Sequence, residues 1–267
     1  MGQKLGVIAG AGVFPIHVCR EARRSGQDCV VAGIRGEADS SLSGSEAEFQ
    51  LFDVHEIENL ITFFKKNQVS EAVFAGKIDH RIIFKNEGLR RLLPVMLGQR
   101  KDWTPTNLIQ KAIQILAAQG IAVVDPTPYI ASAFCEEGIL SKTNPSPEIR
   151  EDIRFGWDIA KRLADLDVGQ TVIIKDKAVV AVEGMEGTDN AILRAGDLAG
   201  KGIVVVKVSR SSQDPRIDLP AVGLKTIESL MQGEGAALAI EAKKIPFFQK
   251  EEAIPLADSH GISLIAK

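Results

Sequence analysis

The chain has 267 residues, enough to bury roughly three quarters of its unfolded surface, so one large domain or two smaller ones can hold a core. Its apolar share of 45% and charged share of 25% are ordinary for a water-soluble globular protein, and no apolar run is long enough to span a bilayer. A net charge of -3 speaks against a nucleic-acid partner held by bulk electrostatics.

In chain order, an apolar strand Leu5–Ala9 ends in Gly10-Ala11-Gly12 and leads into a helical pattern over Phe14–Ser25. Strands are expected at Cys29–Ile34, Phe49–Phe52, Val73–Ala75 and Ala122–Val124, with helices at Ile57–Lys66, from about Ile82 to Met96, and at Asn107–Gln119. This alternation is that of a parallel sheet covered on both faces, an N-terminal Rossmann-like domain over residues 1–125. Four prolines (Pro126, Pro128, Pro145, Pro147) mark residues 126–147 as a connection with at most one short helix, around Tyr129–Glu137. Residues 148–267 read as a second, C-terminal α/β domain. Its helices fall at Pro147–Asp165, Asp189–Arg194, Leu224–Gln232 and Lys250–His260, and its strands at Thr171–Lys175, Ala178–Glu183, Gly202–Val208, Ala236–Ile240 and Ser263–Ile265. The first two of those strands are expected to pair about a tight Asp176-Lys177 turn.

The opening MGQKLGVIAGAG has too short and glycine-broken an apolar stretch for a secretory leader. Cys19, Cys29 and Cys135 are odd in number and widely spaced, which suits reduced core thiols in the cytoplasm. His17, His55, His80 and His260 show no metal-ligand spacing.

Gly10, Gly12 and Phe14 resemble the front of a dinucleotide fingerprint, where glycines admit a phosphate to a helix N-terminus. Pro15 stands where the third glycine would be, and Ile34-Arg35 offers no acid for a ribose, so NAD is disfavoured while phosphate contact stays open. Gly76 and Lys77 follow a strand end, where an open α/β sheet binds ligands; Lys77 meets a phosphate or is a solvated loop residue. Arg81, Lys85, Arg90, Arg91, Arg100 and Lys101, interleaved with apolar residues, fit either a helix lying on anionic lipid or one with a core face and a wet face.

The densest signal lies between Val182 and Gly223. In VEGMEGTDN, Glu183 and Glu186 flank glycines at a strand end, and Thr188 and Asp189 stand where a helix begins. Capping accounts for the last two, but metal or substrate contact accounts better for the glutamates. In QDPRIDLP the prolines favour extended backbone, which would put Asp214, Arg216 and Asp218 on one face, able to hold a cation and a phosphate together.

Together LGVIAGAGVFP, FAGK, VEGMEGTDNAILRAG and SSQDPRIDLPAVGLKTIE resemble the UDP-2,3-diacylglucosamine pyrophosphatases of lipid A biosynthesis, the two-domain type rather than the calcineurin-like one. The family's usual Phe is replaced by Ile217 here. The resemblance implies hydrolysis of UDP-2,3-diacylglucosamine to UMP and 2,3-diacylglucosamine 1-phosphate, dependence on Mg²⁺ (or Mn²⁺), and a cytoplasmic enzyme in peripheral contact with the inner membrane. A homodimer is left open. On that reading Asp214 and Asp218 hold the metal or orient the attacking water, and Glu183, Glu186 and Asp189 complete the metal site. Arg216, Lys207 and Lys77 would meet phosphate oxygens, with Gly10–Phe14, Gly76, Gly187, Thr188 and Gln213 also lining the substrate. The alternative is a non-catalytic module that binds a nucleotide sugar or phospholipid.

Overall fold

A computed structural model describes residues 4–44, 48–79, 82–91 and 104–267. The chain divides into two compact units, Met1–Ala131 with Asp214–Asp218, and Ser132–Gln213 with Leu219–Lys267.

The first unit is built on five parallel strands: β1 (Lys4–Ala9), β2 (Cys29–Ile34), β3 (Glu48–Phe52), β4 (Val69–Ala75) and β5 (Ala122–Val123). Their order across the sheet is β3-β2-β1-β4-β5. Every residue of β2 is buried, as near-continuous apolar strands of a parallel sheet must be when both faces are covered. Helix α1 (Phe14–Arg24) buries Phe14, Pro15, Val18, Cys19 and Ala22. Helix α2 (Ile57–Lys66) sets Leu60, Ile61 and Phe64 in a core with Ile8, Val30 and Ala32. Helix α3 (Pro105–Ala118) opens on Thr104, whose hydroxyl accepts the Asn107 N–H. β4 starts at Val69, earlier than the apolar pattern indicates, because pairing with β1 carries the polar Ser70 and Glu71 along. Of the basic stretch Arg81–Lys101, residues 82–91 are described. They form a helical turn Ile82–Lys85 and helical residues 87–91, with Leu89 buried against Val54, Ile82 and Leu108. The rest of that expected helix, with Arg81, Arg100 and Lys101, lies outside the described residues, as does His80.

The second unit is a six-stranded mixed sheet in the order β6-β11-β10-β9-β7-β8. Its strands are β6 (Gly138–Ile139), β7 (Thr171–Lys175), β8 (Ala178–Val182), β9 (Val204–Lys207), β10 (Ala237–Ile240) and β11 (Ser263–Ala266). β9, β10 and β11 run parallel, while β6 and β7 run against their neighbours. On one face Ile153, Ala160 and Ala164 of helix α4 (Pro147–Asp165) cover Val172, Ile174, Val204 and Val206. The other face is covered by α5 (Thr188–Ala199), α6 (Leu224–Gln232) and α7 (Lys250–Ser259), with Ile192, Ile227, Leu230 and Ala253 in one core with Ile173, Val205 and Leu238. The β7–β8 turn has positive φ at Asp176 (51°) and Lys177 (58°), the geometry that matches strand twist in a two-residue hairpin. The buried Asp152 carboxylate holds it by accepting both turn N–H groups, at 3.1 and 2.7 Å.

α5 runs on to Ala199, past the Arg194 expected from sequence, and ends where Gly200 takes φ 66°. Residues 126–147 are taken up into structure. Thr127–Ala133 forms 3-10 turns, and Gly138–Ile139 adds an edge strand to β11. Ser141 Oγ accepts the Leu264 N–H at 2.8 Å, since backbone polar groups on such a strand require partners.

Candidate functional site

In the first unit the strand order reverses between β1 and β4, and ligands of open α/β sheets bind beyond the carboxyl ends at such a point. Gly10-Ala11-Gly12 leaves β1 there, and Gly76-Lys77 leaves β4. The two loops are laced together: Ala11 N–H donates to Lys77 O (2.7 Å) and Lys77 N–H to Ala11 O (2.9 Å). A Cβ on Gly10 would stand 2.5 Å from Lys77 O, and one on Gly76 2.7 Å from Ala11 O. These glycines therefore serve loop-to-loop approach first. Gly12, at φ 90° with open space around it, leaves room for a ligand. No side chain caps the start of α1, and Lys77 is exposed beside it.

In the second unit the carboxyl ends of β8, β9, β10 and β11 share one edge. Lys207 closes β9 there and is 4% exposed. Its Nζ donates to Thr188 Oγ1 (2.7 Å) and Thr171 Oγ1 (3.2 Å), and lies 3.6 Å from Glu183 Oε2. The Thr188 hydroxyl in turn donates a hydrogen bond to Glu183 Oε1 at 2.8 Å. Register places Thr171 opposite Lys207, and Glu183 N–H donates to Thr171 O at 2.9 Å. The charged pair is thus fixed by three strands and a helix start. The N-cap of α5 is Gly187, and Thr188 is committed to this network rather than to capping. Glu186 turns away to the Arg194 guanidinium. Burial would raise its pKa, but Arg194 and the Gly184 N–H hold it below the usual range. Asp189 lies 3.8 Å from the exposed Lys225.

Sequence reasoning missed a second network on the same edge. Glu241 follows β10 and accepts from Lys161 Nζ (2.6 Å), Ser209 N–H (2.9 Å), Ser209 Oγ (2.8 Å) and Lys244 Nζ (3.0 Å). Burial works against its ionised form, yet Lys161, Ser209 and Lys244 prevail and hold the carboxyl at about 2. An acid directly after an apolar strand was the available signal, the same one that marks Glu183.

Ser209 also begins the loop that carries the aspartates. Ser211 donates to the Asp165 carboxylate through N–H and Oγ, both at 2.7 Å. Arg210 pairs with Asp167 at 2.6 Å, and the Arg210 N–H donates to Gln213 Oε1 at 3.1 Å. The segment Asp214–Asp218 is a turn, not the extended stretch expected from its prolines. Ile217 N–H donates to Asp214 O at 3.0 Å. The Asp214 carboxylate accepts the Arg216 N–H (3.0 Å), and Pro215 supplies the fixed φ of a turn's second position. Alternation of side chains does not apply to such a backbone. Arg216 clasps Asp214 through Nε (3.0 Å) and Nη2 (2.7 Å), which lowers the Asp214 pKa. The expected phosphate ligand is thereby turned onto its neighbour.

Among the described residues, no group of three or more His, Cys, Asp and Glu side chains could hold a metal ion. The donor set suits Mg²⁺ or Mn²⁺ only in the mode where one or two carboxylates hold the ion and phosphate oxygens complete its shell. No helix among the described residues is long and apolar enough to cross a membrane.

Comparison with known proteins matches both halves of the chain: residues 4–133 fit the LpxI N-terminal domain and residues 136–265 the LpxI C-terminal domain. A curated relative, UDP-2,3-diacylglucosamine pyrophosphatase LpxI of Caulobacter vibrioides, is 26% identical over 278 aligned positions, covering 98% of this chain and 97% of that one. Among solved structures, a nucleoside-diphosphate-sugar epimerase from Pseudomonas aeruginosa is 15% identical, with 35% of this chain and 30% of that one covered (TM-score 0.26). The biotin carboxylase domain of the Hydrogenobacter thermophilus 2-oxoglutarate carboxylase is 12% identical, with 74% and 42% covered (TM-score 0.30). The chain spans less than half the length of either structure.

Proposed function

Because the chain belongs to the LpxI family through both of its domains, we propose that it hydrolyses the pyrophosphate of UDP-2,3-diacylglucosamine in lipid A biosynthesis, releasing UMP and 2,3-diacylglucosamine 1-phosphate. The structural observation that supports this reading is the edge of the second unit built from Lys207, Thr188, Thr171 and Glu183, with Glu241 and Ser209 on the same edge. Pyrophosphate cleavage requires charge to be stabilised as the P–O bond breaks, and groups held in advance contribute most.

Each residue has a distinct part. Lys207 neutralises Glu183 and fixes Thr188, so the uncapped N-terminus of α5 presents its N–H groups to a phosphate. Arg216 holds Asp214 and shapes the turn that ends at Asp218. Asp218 is the residue assigned to orient the attacking water. In the first unit, Gly12 and Lys77 receive the nucleotide end at the β1–β4 crevice. Mg²⁺ or Mn²⁺, held by Asp218 or Asp214 and by substrate oxygens, would neutralise phosphate charge. The lipid product places the work at a membrane surface, with peripheral attachment part of the same reading.

The test is UMP release from UDP-2,3-diacylglucosamine in detergent with Mg²⁺, beside an EDTA arm and Asp218→Ala. Metal-dependent release that Asp218→Ala abolishes supports the assignment. No release from folded protein refutes the activity, and release untouched by the substitution refutes the role of Asp218.

A further inference from the structure

In the first unit β2 lies beside the strand that leads into the Gly10–Gly12 turn, and β3 lies one strand further out. Where such a sheet binds a nucleotide, the phosphates sit at the turn after the first strand and an acid at the end of the second accepts the ribose hydroxyls. The end of β2 is Ile34-Arg35, with no acid of its own. The neighbouring strand supplies one. Gly33 pairs with Ala9 on one side and Leu51 on the other, and Ile34 pairs with Phe52, so Arg35 and Asp53 leave their strands level with the glycine turn. Strand spacing puts Arg35 about 5 Å across the sheet from that turn and Asp53 about 10 Å.

Both residues are held in place. Arg35 N–H donates to Phe52 O at 2.9 Å, and its Nη2 donates to Leu51 O at 3.5 Å. Asp53 N–H donates to Glu56 Oε2 at 2.7 Å, which sets the backbone of the turn into α2. The Asp53 carboxylate caps nothing. Its cation is Arg35, with Nε 3.5 Å from Oδ1, and 40% of the Asp53 side chain stays exposed. A pair this long and this wet adds little to stability. It does set the carboxylate beside the end of β2, with acceptor sites open to solvent. Glu37, the other acid nearby, follows the Arg35-Gly36 turn and donates its N–H to Ile34 O at 3.0 Å.

We propose that Asp53 is the residue by which the first unit selects a ribonucleotide, its carboxylate accepting the 2′- and 3′-hydroxyls of the uridine. This rests on the reading that Gly12 and Lys77 receive the nucleotide end. From Gly12 the nucleoside runs over the end of β2 towards β3, and its vicinal hydroxyls meet the two oxygens of one carboxylate in charge-assisted hydrogen bonds. Arg35 is a positioning residue that keeps the carboxylate on this path.

The experiment titrates the full chain with UDP and with 2′-deoxy-UDP by calorimetry in Mg²⁺ buffer. The parent should bind UDP at least about tenfold tighter, the worth of one hydrogen bond to a charged acceptor. Asp53→Ala should bring UDP down to the level of the deoxynucleotide, whose own affinity should change by less than about threefold. Repulsion between an acid and the phosphates is common to both ligands, as is any loosening of the fold, so the ratio cancels them. Asp53→Asn keeps an uncharged acceptor and should give a ratio between the two, and Glu37→Gln should keep that of the parent. If Asp53→Ala does not fold, Asp53→Asn decides, and a ratio as large as the parent's counts against the proposal. Equal binding of the two nucleotides by the parent, or a preference that survives Asp53→Ala, overturns the role of Asp53 and leaves nucleotide binding standing. Binding of neither nucleotide overturns the nucleotide reading of the first unit, and this proposal with it.

Discussion

Glu241→Gln keeps the side chain's size and removes the charge around which Lys161, Lys244 and Ser209 are arranged. The carboxyl sits at about 2 in the folded second unit against an ordinary value of 4.5, a preference for the ionised form worth about 3 kcal/mol. Because the folded value lies below the unfolded one, that stabilisation is complete above pH ~4.5 and disappears as pH falls from there towards ~2. At neutral pH the variant should lose about 3 kcal/mol, rising towards 5 to the extent that Lys161 is left without its anion. The assay is urea denaturation followed by Trp157 fluorescence in a Trp103→Phe background, since Trp157 packs against the core beneath α4 and reports that unit alone. The gap between parent and variant should be about 3 kcal/mol at pH 7 and shrink to about half by pH 3. A gap under about 1 kcal/mol at pH 7, or one that does not change with pH, would refute the reasoning.

Lys207→Met leaves the Glu183 carboxylate in a buried network without its cation and should cost the second unit about 3–5 kcal/mol. Adding Glu183→Gln should recover much of that loss in the same denaturation assay, and a double variant as unstable as the sum of the two singles would argue against the pair. Gly76→Ala should destabilise the first unit more than Gly12→Ala does. Both positions have positive φ, at 93° and 90°, but only the Gly76 Cβ meets a backbone oxygen, so the Gly12 change should stay near 1 kcal/mol. Asp218→Ala should reduce UMP release by at least about 100-fold while the urea midpoint stays where it was.

Much of the architecture is legible because burial on both faces writes itself as apolar runs. Cys29–Ile34, Ile57–Lys66, Pro147–Asp165, Thr171–Lys175 and Leu224–Gln232 have the bounds their patterns indicate. Boundaries slip where a residue has two uses. The helix expected to stop at Arg194 runs on through Gly196, whose missing side chain lets α5 press against Gly233, where a Cβ would lie 2.6 Å from Gly233 Cα. The dipeptide Asp176-Lys177 reads as a turn, but the acid that secures it, Asp152, comes from a helix 24 residues earlier.

The candidate site divides along the same physical line. An acid after an apolar strand is a local pattern, so it marks Glu183 and, applied evenly, marks Glu241 as well. Its partner is not local: Lys161 lies 80 residues from Glu241, and nothing in either neighbourhood points to the other. The QDPRID loop fails for the opposite reason, because its decisive interactions are too local. Treating Asp214, Arg216 and Asp218 as side chains displayed on a neutral strand ignores that an aspartate competes for backbone N–H groups two residues on. Once Asp214 accepts the Arg216 N–H, its carboxylate also stands within reach of the guanidinium, and the turn closes on an ion pair. An arginine held in this way would release to a phosphate only if the new anion outbid Asp214, so on the proposed reading phosphate binding at Arg216 would be coupled to the shape of the Asp218 turn.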